Sequence, residues 1–474
     1  MRVALVHYHL RQGGVSSVIR HQARSLMDAG VELLLITGED APEDAGFPCV
    51  RVDKLDYDKP EDREALRDKV LREKAAGELA AGILAAMENH WGEAADIVHV
   101  HNPLIQKNAL LIPALNILRS RGLRLLLQNH DLAEDFRPDV YAGYTEYPEN
   151  CHYAVINSRD HSYLRHSGLK PEGLHLIPNE VAVLSASPGI KRTRYLYPVR
   201  AIRRKNIGEA LLLSLYIPRD RSVAITLPPA EKDGRVYRRW MDFASDLELP
   251  MEFALGKDFS LEELLGSAVC ALSTSIKEGF GFSFLEPWTA GRGLMGRRID
   301  YVCKDFENAG VNFDSLYSEI KIPSEYVSLV MLRNKMESAI RRVYRAFGLE
   351  VPAYIMGLMT DDLGSRDTLD FGRLDEEFQE SIIRTLCNNR TAFRDVAALN
   401  PFLGGLADWR EDEALIESNR KIILEYYGRE RISKILMDTY RAVMDHSVVH
   451  KISKPVLLDL YLNPLRFSLV DMDG

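Results

Sequence analysis

The chain has 474 residues, enough for about two or three domains, and its 46% hydrophobic content is ordinary for a globular protein and excludes a disordered one. Its 60 Lys and Arg residues against 69 Asp and Glu give a formal charge of −9, which predicts no general attraction to nucleic acid or anionic lipid. The five cysteines lie far apart without a CxxC pair, which argues against a disulfide scaffold or a thiolate zinc site.

Nothing in the sequence predicts secretion or insertion into a membrane. No apolar run approaches the ~18 residues of a membrane helix, and the apolar start of the chain is short and runs into polar residues, as a strand does. We therefore expect a cytoplasmic protein without a transmembrane segment, while peripheral contact with a membrane stays open.

The first third of the chain alternates short apolar runs with amphipathic segments. Val3–His7 predicts a strand, and apolar residues over 15–26 recur at helical spacing before Gly30. Further strands are predicted at the apolar runs 31–36, 97–100, 124–127 and 154–156. Strands that alternate with helices are typical of a parallel sheet covered by helices on both faces.

A basic stretch, Lys191–Lys205, interrupts this pattern with seven Lys or Arg and no acid. The alternation resumes at 222–227 and 269–273, which predicts a second doubly wound domain. We expect residues 1–187, joined by 446–474, to form the first domain, and residues 188–445 to form the second. Two such domains in sequence predict a cleft between them, which is a preferred place for a ligand.

After residue 322 the pattern becomes mainly helical, and residues 322–400 are interpreted as a helical insertion in the second domain. Apolar positions predict a helix over 329–347, capped by Ser324 and stopped by Gly348. Residues 351–373 lack periodicity and predict a long loop, whereas further helices are predicted at 376–399 and 411–443.

The strongest local signal is the segment Lys277–Pro287, which follows an apolar strand and opens a helix. Gly279 and Gly281 permit a tight loop, and the start of a helix offers unpaired N–H groups that suit a phosphate. Pro287 is tolerated near a helix start, which would place Glu286 in the first turn, where its carboxylate can accept two ribose hydroxyls. On the local sequence alone, a glycine turn flanked by unrelated acids is an equally good interpretation.

Glu278 and Glu286, separated by seven residues, resemble the donor-site motif of retaining glycosyltransferases of family 4, which have the GT-B fold. Further stretches resemble other motifs of that family in the same order: Gln12–Val15, Asp96–Asn102, Asn129–Asp131, Val155–Ser158, Ile177–Asn179, and Arg200 with Lys205 and Asn206. The resemblance covers about residues 1–300. The chain departs from the usual pattern at Glu180, Ala182, Val199 and Gly293, and none of these departures removes a charged donor ligand.

The resemblance implies two Rossmann-like domains facing across a cleft and the retaining transfer of a hexosyl group from a nucleoside-diphosphate sugar. It implies that Arg200 and Lys205 neutralise the diphosphate. It also implies that Glu278 and His130 hold the sugar and that Glu286 holds the ribose. Donor-binding roles are further expected at Gly13, Gly14, Gly281, Phe282, Ser283 and Phe284, and acceptor-side roles in the first domain at His101, Asn102 and Asp131.

The resemblance also implies the partners. The nucleotide sugar is a co-substrate, the acceptor is a small molecule or a glycan, and no metal or other cofactor is required. The sequence also has no DxD motif at an expected position. The pair His99 and His101 is by itself a weak indication of a metal. No nucleic-acid partner is expected, and the oligomeric state stays open.

Arginines near the donor motifs motivate one hypothesis about the acceptor. Excess positive charge beside the donor site would favour an anionic acceptor, and the arginines concerned are Arg203, Arg204, Arg292, Arg297 and Arg298. Within the basic stretch itself, we expect solvated side chains at Arg192, Arg194, Arg203 and Arg204.

Two alternative functions stay open at this point. One is another GT-B activity, either a phosphorylase, which would use free phosphate, or a nucleotide-sugar epimerase, which would need no acceptor. The other is a protein that binds a nucleotide sugar without catalysis.

Overall fold

The computed structural model describes all residues other than 12, 41–45, 144, 231–233, 365, 464–465 and 473–474, and of residues 60 and 359–364 it describes the backbone alone. Contacts divide the chain into two compact units. The first comprises residues 1–180 and 426–462, and the second comprises residues 181–425 and 463–474. In the part of the chain that the structure describes, no helix has the length and apolar character needed to cross a bilayer.

The first unit is built on a seven-stranded parallel sheet. Its strands are β1 (Arg2–Val6), β2 (Glu32–Thr37), β3 (Cys49–Arg51), β4 (Ile97–His101), β5 (Leu125–Asn129), β6 (His152–Val155) and β7 (Leu174–Leu176). Their spatial order is β3-β2-β1-β4-β5-β6-β7, so the order reverses between β1 and β4, where ligands of such sheets bind. The helices between these strands are α1 (Gly14–Asp28), α2 (Pro60–Ala65), α3 (Lys69–Trp91), α4 (Leu111–Ser120) and α5 (Ser158–His166).

The second unit has a six-stranded parallel sheet. Its strands are β8 (Arg194–Arg200), β9 (Ser222–Leu227), β10 (Met251–Glu252), β11 (Ala268–Ser273), β12 (Leu294–Arg297) and β13 (Leu316–Tyr317), in the order β10-β9-β8-β11-β12-β13. The switch point here lies between β8 and β11. Helices in this region are α6 (Ile207–Ser214), α7 (Gly234–Asp246), α8 (Leu261–Ser267), α9 (Phe282–Thr289) and α10 (Asp300–Asn308).

The region after β13 is mainly helical, as predicted, but it contains more structure than the sequence indicates. Two short strands, β14 (Lys321–Pro323) and β15 (Thr368–Asp370), pair antiparallel. The segment that joins them in the sequence contains α11 (Leu329–Ala346) and α12 (Ala353–Gly364). Further helices are α13 (Glu376–Asn388), α14 (Arg390–Leu399), α15 (Phe402–Ala407) and α16 (Glu413–Tyr427). The predicted loop over 351–373 is therefore wrong, because α12 packs on α11 and β15 pairs with a strand far away in the sequence.

The helix predicted over 329–347 is confirmed as α11, with a different cap. Ser328 Oγ, and not that of Ser324, accepts a hydrogen bond from the main-chain N–H of Met331 at 3.4 Å. Ser324 instead begins a short 3-10 turn. Gly348 follows the helix with a φ of 75°, a conformation that favours glycine, as expected of a stop.

The last part of the chain contributes to both units. Helix α17 (Arg429–Asp445) packs on α1 and places Leu436, Tyr440 and Val443 in the first unit's core, and α18 (Lys454–Tyr461) follows in the same unit. Helix α19 (Leu469–Met472) lies in the second unit. The contacts thus divide the chain at positions other than the 187 and 446 expected from sequence, because the buried apolar face of α17 belongs to the first core.

Candidate active site

The segment after β8 turns sharply at the carboxyl edge of the second sheet. It passes through a 3-10 turn at Arg203–Lys205, and Asn206, with a φ of 51°, precedes α6. Tyr197 Oη and Thr274 Oγ1 donate hydrogen bonds to the main-chain carbonyl of Lys205 at 2.9 and 3.0 Å. The side chain of Lys205 therefore starts from a backbone position that the sheet holds in place.

Glu278 lies after β11 with its carboxylate buried between two cations. Its Oε1 accepts from Lys205 Nζ, and its Oε2 accepts from Arg204 Nη1 at 3.0 Å. Burial raises the pKa of this carboxyl, but Lys205 and Arg204 outweigh burial and bring the pKa to about 2. Glu278 is therefore ionised at neutral pH. Tyr301 Oη holds its backbone, accepting from the Glu278 N–H at 3.1 Å and donating to its carbonyl at 2.5 Å.

The start of α9 is not capped by any side chain among the described residues. Gly281 caps the helix with a φ of 98°, and a Cβ there would lie 2.5 Å from Val302 Cγ1, so glycine is required. Among the described residues, no side chain caps this helix start, and the buried Ser283 Oγ has no hydrogen-bond partner. Such an end has free N–H groups and a positive dipole.

Glu286 lies on the same helix without a cation or hydrogen-bond donor among the described residues. Burial raises the pKa of its carboxyl to about 7. Its predicted place in the first turn is wrong, because α9 begins at Phe282 and Pro287 lies inside it. The helix starts early because Phe284 and Leu285 are buried in the core from its first turn. The side chain of Phe284 therefore packs inside the unit, whereas Phe282 is half-buried.

Arg200 ends β8 on the same edge as the buried Lys205–Glu278 pair but is not part of that pair. Its guanidinium is exposed and donates to the carbonyl of Pro228 at 3.4 Å. In the part of the chain that the structure describes, no carboxylate pairs with it. The carboxyl edge of the second sheet thus carries the exposed Arg200 as well as the buried Lys205–Glu278 pair.

The arginines expected to supply excess positive charge are engaged with acceptors of the second unit. The expectation of solvated Arg203 and Arg204 is wrong, because Arg203 pairs with Glu376 and Arg204 with Glu278. Arg194 is also paired, with Glu252 at 2.8 Å. The remaining members bond as follows: Arg192 with Glu411, Arg292 with the carbonyls of Leu265 and Gly291, Arg297 with Glu209 and Asp370, and Arg298 with Asp300 and Glu307. Apart from Arg292, which bonds two carbonyls, these arginines are paired with carboxylates.

The first unit gathers four histidines at the switch point between β1 and β4. His99 and His101 lie on β4, and His7 and His130 follow β1 and β5. All four are buried, and burial lowers their pKa, to about 3 for His7 and His99 and to about 4 for His130. Burial also lowers the pKa of His101. The cluster is therefore neutral at neutral pH.

Asn102 and Asp131 help to shape the loop that carries His130. Asn102 has a φ of 61°, and its Oδ1 accepts from the main-chain N–H groups of His130 and Asp131 at 3.0 and 2.9 Å. Asp131 pairs with Arg137 at 2.9 Å. Asn102 thus fixes the loop from within, and Asp131 is partly exposed at its surface.

Gly13 and Gly14 begin α1 without any steric need for glycine. Among the described residues, a Cβ on Gly13 would lie 3.9 Å from its nearest neighbour, one on Gly14 would meet nothing within 4 Å, and no side chain caps α1. Gln12, the first residue of that motif, lies outside the described residues.

Sequence reasoning missed the residues that hold Lys205 and Glu278 in place. The polar pair Thr274 and Ser275 directly follows the apolar run of β11, which marks the carboxyl end of that strand and was a usable signal. Arg204 and Tyr301 gave no such signal, because their roles depend on the path of two turns. Among the described residues, no group of three or more His, Cys, Asp or Glu is placed to hold a metal ion.

Comparison with known proteins gives a relative and several similar structures. No family model matches the chain. In sequence, the chain is similar to the mannosylglucosyl-3-phosphoglycerate synthase of Petrotoga mobilis, with 26% identity over 431 residues and 79% of either chain covered.

In structure, the chain is similar to the sucrose-phosphate synthase of Thermosynechococcus elongatus, with a TM-score of 0.54 and 16% identity over 93% of this chain and 98% of that one. It is also similar to Anabaena HepE in complex with UDP and glucose, with a TM-score of 0.55 and 12% identity over 93% and 99%. The fold class predicted from the sequence is confirmed. The protein has the GT-B fold, and its sequence is homologous to a glycosyltransferase.

Proposed function

We propose that the protein is a retaining glycosyltransferase that moves a hexosyl group from a nucleoside-diphosphate sugar to an acceptor that carries a phosphoglycerate group. The second unit binds the donor and the first unit provides the acceptor side. The observation that carries the proposal is the set of polar groups at the second switch point, where Glu278 lies between Lys205 and Arg204 and no described side chain caps the start of α9.

The donor roles follow from the charges of these groups. The exposed guanidinium of Arg200 and the ammonium of Lys205 neutralise the diphosphate, on which negative charge grows as the glycosidic bond breaks. The free N–H groups of α9 add donors to the same phosphates. The Glu278 carboxylate then accepts hydrogen bonds from hydroxyls of the sugar, and His130 forms a further hydrogen bond to the sugar. The Glu286 carboxylate accepts hydrogen bonds from the ribose hydroxyls.

The acceptor class rests on the relative and not on the arginines first considered. The enzyme of Petrotoga mobilis is named for a product that contains 3-phosphoglycerate. The arginines that the sequence suggested for the acceptor make contacts within the second unit. We therefore assign recognition of an anionic acceptor to the first unit, which provides the acceptor side.

The donor is identified by thermal unfolding against a panel of nucleotide sugars, including UDP-glucose and GDP-mannose. A donor at about 100 times its Kd is expected to stabilise the protein by ~2.7 kcal/mol. The bound donor is then offered with a glycosyl-3-phosphoglycerate and with the matching neutral glycosyl-glycerol. We expect mass spectrometry to detect glycosylation of the phosphorylated acceptor, and NMR to show that the anomeric configuration is kept.

Four outcomes of that experiment would contradict the proposal. A preference for the neutral acceptor would contradict the acceptor class. Conversion of the nucleotide sugar without an acceptor would indicate an epimerase, and a strict need for inorganic phosphate would indicate a phosphorylase. Donor binding without product from any acceptor in a cell extract would favour a binding protein without catalysis.

Glu286→Gln is expected to weaken binding of the nucleotide sugar about 10-fold or more, since it replaces a charged acceptor of ribose hydroxyls by a neutral one. Because the pKa of Glu286 is raised to about 7, the carboxylate ionises as the pH rises from 6 to 8. Binding to the unaltered protein should strengthen over that window, and binding to the variant should not. Calorimetric titration at several pH values measures both effects.

The control for Glu286→Gln is Glu262→Gln, an exposed glutamate at the start of α8. It should leave the affinity and its pH profile unchanged. Equal affinity of Glu286→Gln and the unaltered protein would remove Glu286 from the donor site.

A further inference from the structure

The histidine cluster of the first unit restricts where its protons lie. The rings of His99 and His101 have centroids 4.3 Å apart, and those of His101 and His130 have centroids 5.5 Å apart with 18° between their planes. His101 Nδ1 lies 3.1 Å from His130 Nε2, within hydrogen-bond distance. Since both imidazoles are neutral at neutral pH, one of these two nitrogens donates and the other accepts.

The other nitrogen of His101 decides which ring donates. His101 Nε2 is buried and has no hydrogen-bond partner among the described residues. It cannot pair with His99, whose nitrogens contact Tyr440 Oη at 2.8 Å and Gln128 Oε1 at 3.0 Å. If His130 were the donor, His101 would carry its own proton on Nε2 as an orphaned buried N–H. An unfilled acceptor is less costly than an orphaned N–H, so the proton of His101 lies on Nδ1.

The hydrogen bond of His101 in turn determines the tautomer of His130. An Nε2 atom that accepts from His101 carries no proton, so the proton of a neutral His130 lies on Nδ1. His130 Nδ1 makes no hydrogen bond to the described residues. It is also not one of their buried polar atoms that lack a partner, so this nitrogen keeps some access to solvent. The Nδ1–H group of His130 is therefore available to donate a hydrogen bond to an oxygen atom of a ligand.

We propose that His101 is a positioning residue that holds His130 in the Nδ1–H tautomer, so that His130 donates a hydrogen bond to a hydroxyl oxygen of the sugar. The part about the sugar rests on the proposed function, whereas the tautomer does not. This role replaces the direct acceptor contact expected for His101, whose side chain is wholly buried.

The first test measures the tautomer in the unaltered protein. Long-range proton–nitrogen NMR of protein labelled with 15N-histidine, at pH 7, separates protonated from unprotonated ring nitrogens. The signals of His130 are identified by their loss in His130→Gln or, if that variant does not fold, in His130→Asn. A protonated Nδ1 and an unprotonated Nε2 support the proposal, and the reverse pattern overturns it.

The second test separates positioning from packing. His101→Phe keeps a ring but removes the donor, and His101→Asn places an amide nitrogen near the position of Nδ1. We expect His101→Phe to mix the two tautomers of His130 and to lower kcat about tenfold at a nearly unchanged KM for the nucleotide sugar, and His101→Asn to restore most of both. The matched control is His99→Phe, an equally buried histidine on the same strand that does not bond His130.

The outcomes distinguish this proposal from the proposed function. Equal losses in His101→Phe and His99→Phe, without a change in the His130 tautomer, would assign His101 to packing and overturn the proposal. The expected tautomer in a protein that transfers no sugar would overturn the proposed function and leave the role of His101 in setting the tautomer intact.

Discussion

Lys205→Ala is expected to lower kcat/KM for glycosyl transfer by about 10²–10³-fold, because it removes a preorganised cation from the departing diphosphate. The fold should survive, since the main chain of this turn is held by Tyr197 and Thr274 and not by the lysine side chain. Initial rates with saturating acceptor and a range of donor concentrations measure the loss, and circular dichroism checks the fold.

The same substitution changes the electrostatics of Glu278 in a direction that can be measured. The folded pKa of Glu278 is lowered to about 2 chiefly by Lys205, against burial. A lowered pKa contributes stability that is present above the unfolded value and is lost as the pH falls toward 2. Lys205→Ala should therefore reduce stability at neutral pH and flatten its decline between about pH 5 and 2, as measured by urea unfolding at several pH values.

Glu278→Gln tests the other half of the pair. It keeps the shape of the side chain but removes the negative charge, so we expect a loss of turnover of the same order as in Lys205→Ala. Lys304→Ala, an exposed lysine on α10, is the matched control and should retain full turnover. Near-unaltered turnover in both Lys205→Ala and Glu278→Gln would contradict their assignment to the donor site.

The parallel strands of the two sheets could be predicted from the sequence, but the small strands could not. Central strands such as β1, β4 and β11 are buried on both faces, so they appear as continuous apolar runs. In contrast, β14 and β15 have three residues each, and each forms only by pairing with the other, which lies about 45 residues away in the sequence. Their pairing is set by tertiary contacts that no local pattern encodes.

In the candidate site, too, some features could be predicted from the sequence and others could not. The resemblance to donor-site motifs predicts Lys205 and Glu278, and the structure brings the two side chains together after β8 and β11. The sequence could not show that Arg204 contacts Glu278 while Arg200 stays exposed, since that choice depends on the 3-10 turn between them. Nor could it show that Arg297, predicted near the site as a free cation, is a buried structural group.

Arg297 lies in the core of the second unit between two carboxylates. Its Nε and Nη2 donate to Glu209 at 2.9 and 2.6 Å, and Nη1 and Nη2 each donate to Asp370 at 2.8 Å. Tyr317 Oη also donates to Glu209, at 2.7 Å. The network joins β12 to α6, which follows the Lys205 turn, and to β15 of the helical region. Glu209 further accepts from Asn206 Nδ2 at 3.0 Å.

Arg297→Met is expected to destabilise the protein by about 3–5 kcal/mol, because it leaves two buried carboxylates without their shared cation. Burial already raises the pKa of Glu209 against the pull of Arg297, so without the arginine Glu209 should take up a proton on folding. A raised carboxyl pKa destabilises the folded state as the pH rises above the unfolded value, so the deficit should be larger at pH 8 than at pH 5.5.

The neighbouring Arg298 provides a matched control for this argument. It pairs with Asp300 and Glu307 nearer the surface, so Arg298→Met should cost less than about 1 kcal/mol. Adding Glu209→Gln and Asp370→Asn to Arg297→Met removes both stranded charges and should recover part of the stability and abolish the pH dependence. Equal losses in Arg297→Met and Arg298→Met would contradict the buried network, and the free energy of unfolding from urea titrations decides between them. Since α6 follows the Lys205 turn, Arg297→Met should also bind the nucleotide sugar more weakly. Weaker binding would show that contacts of the helical region after β13 help to hold the donor site in place.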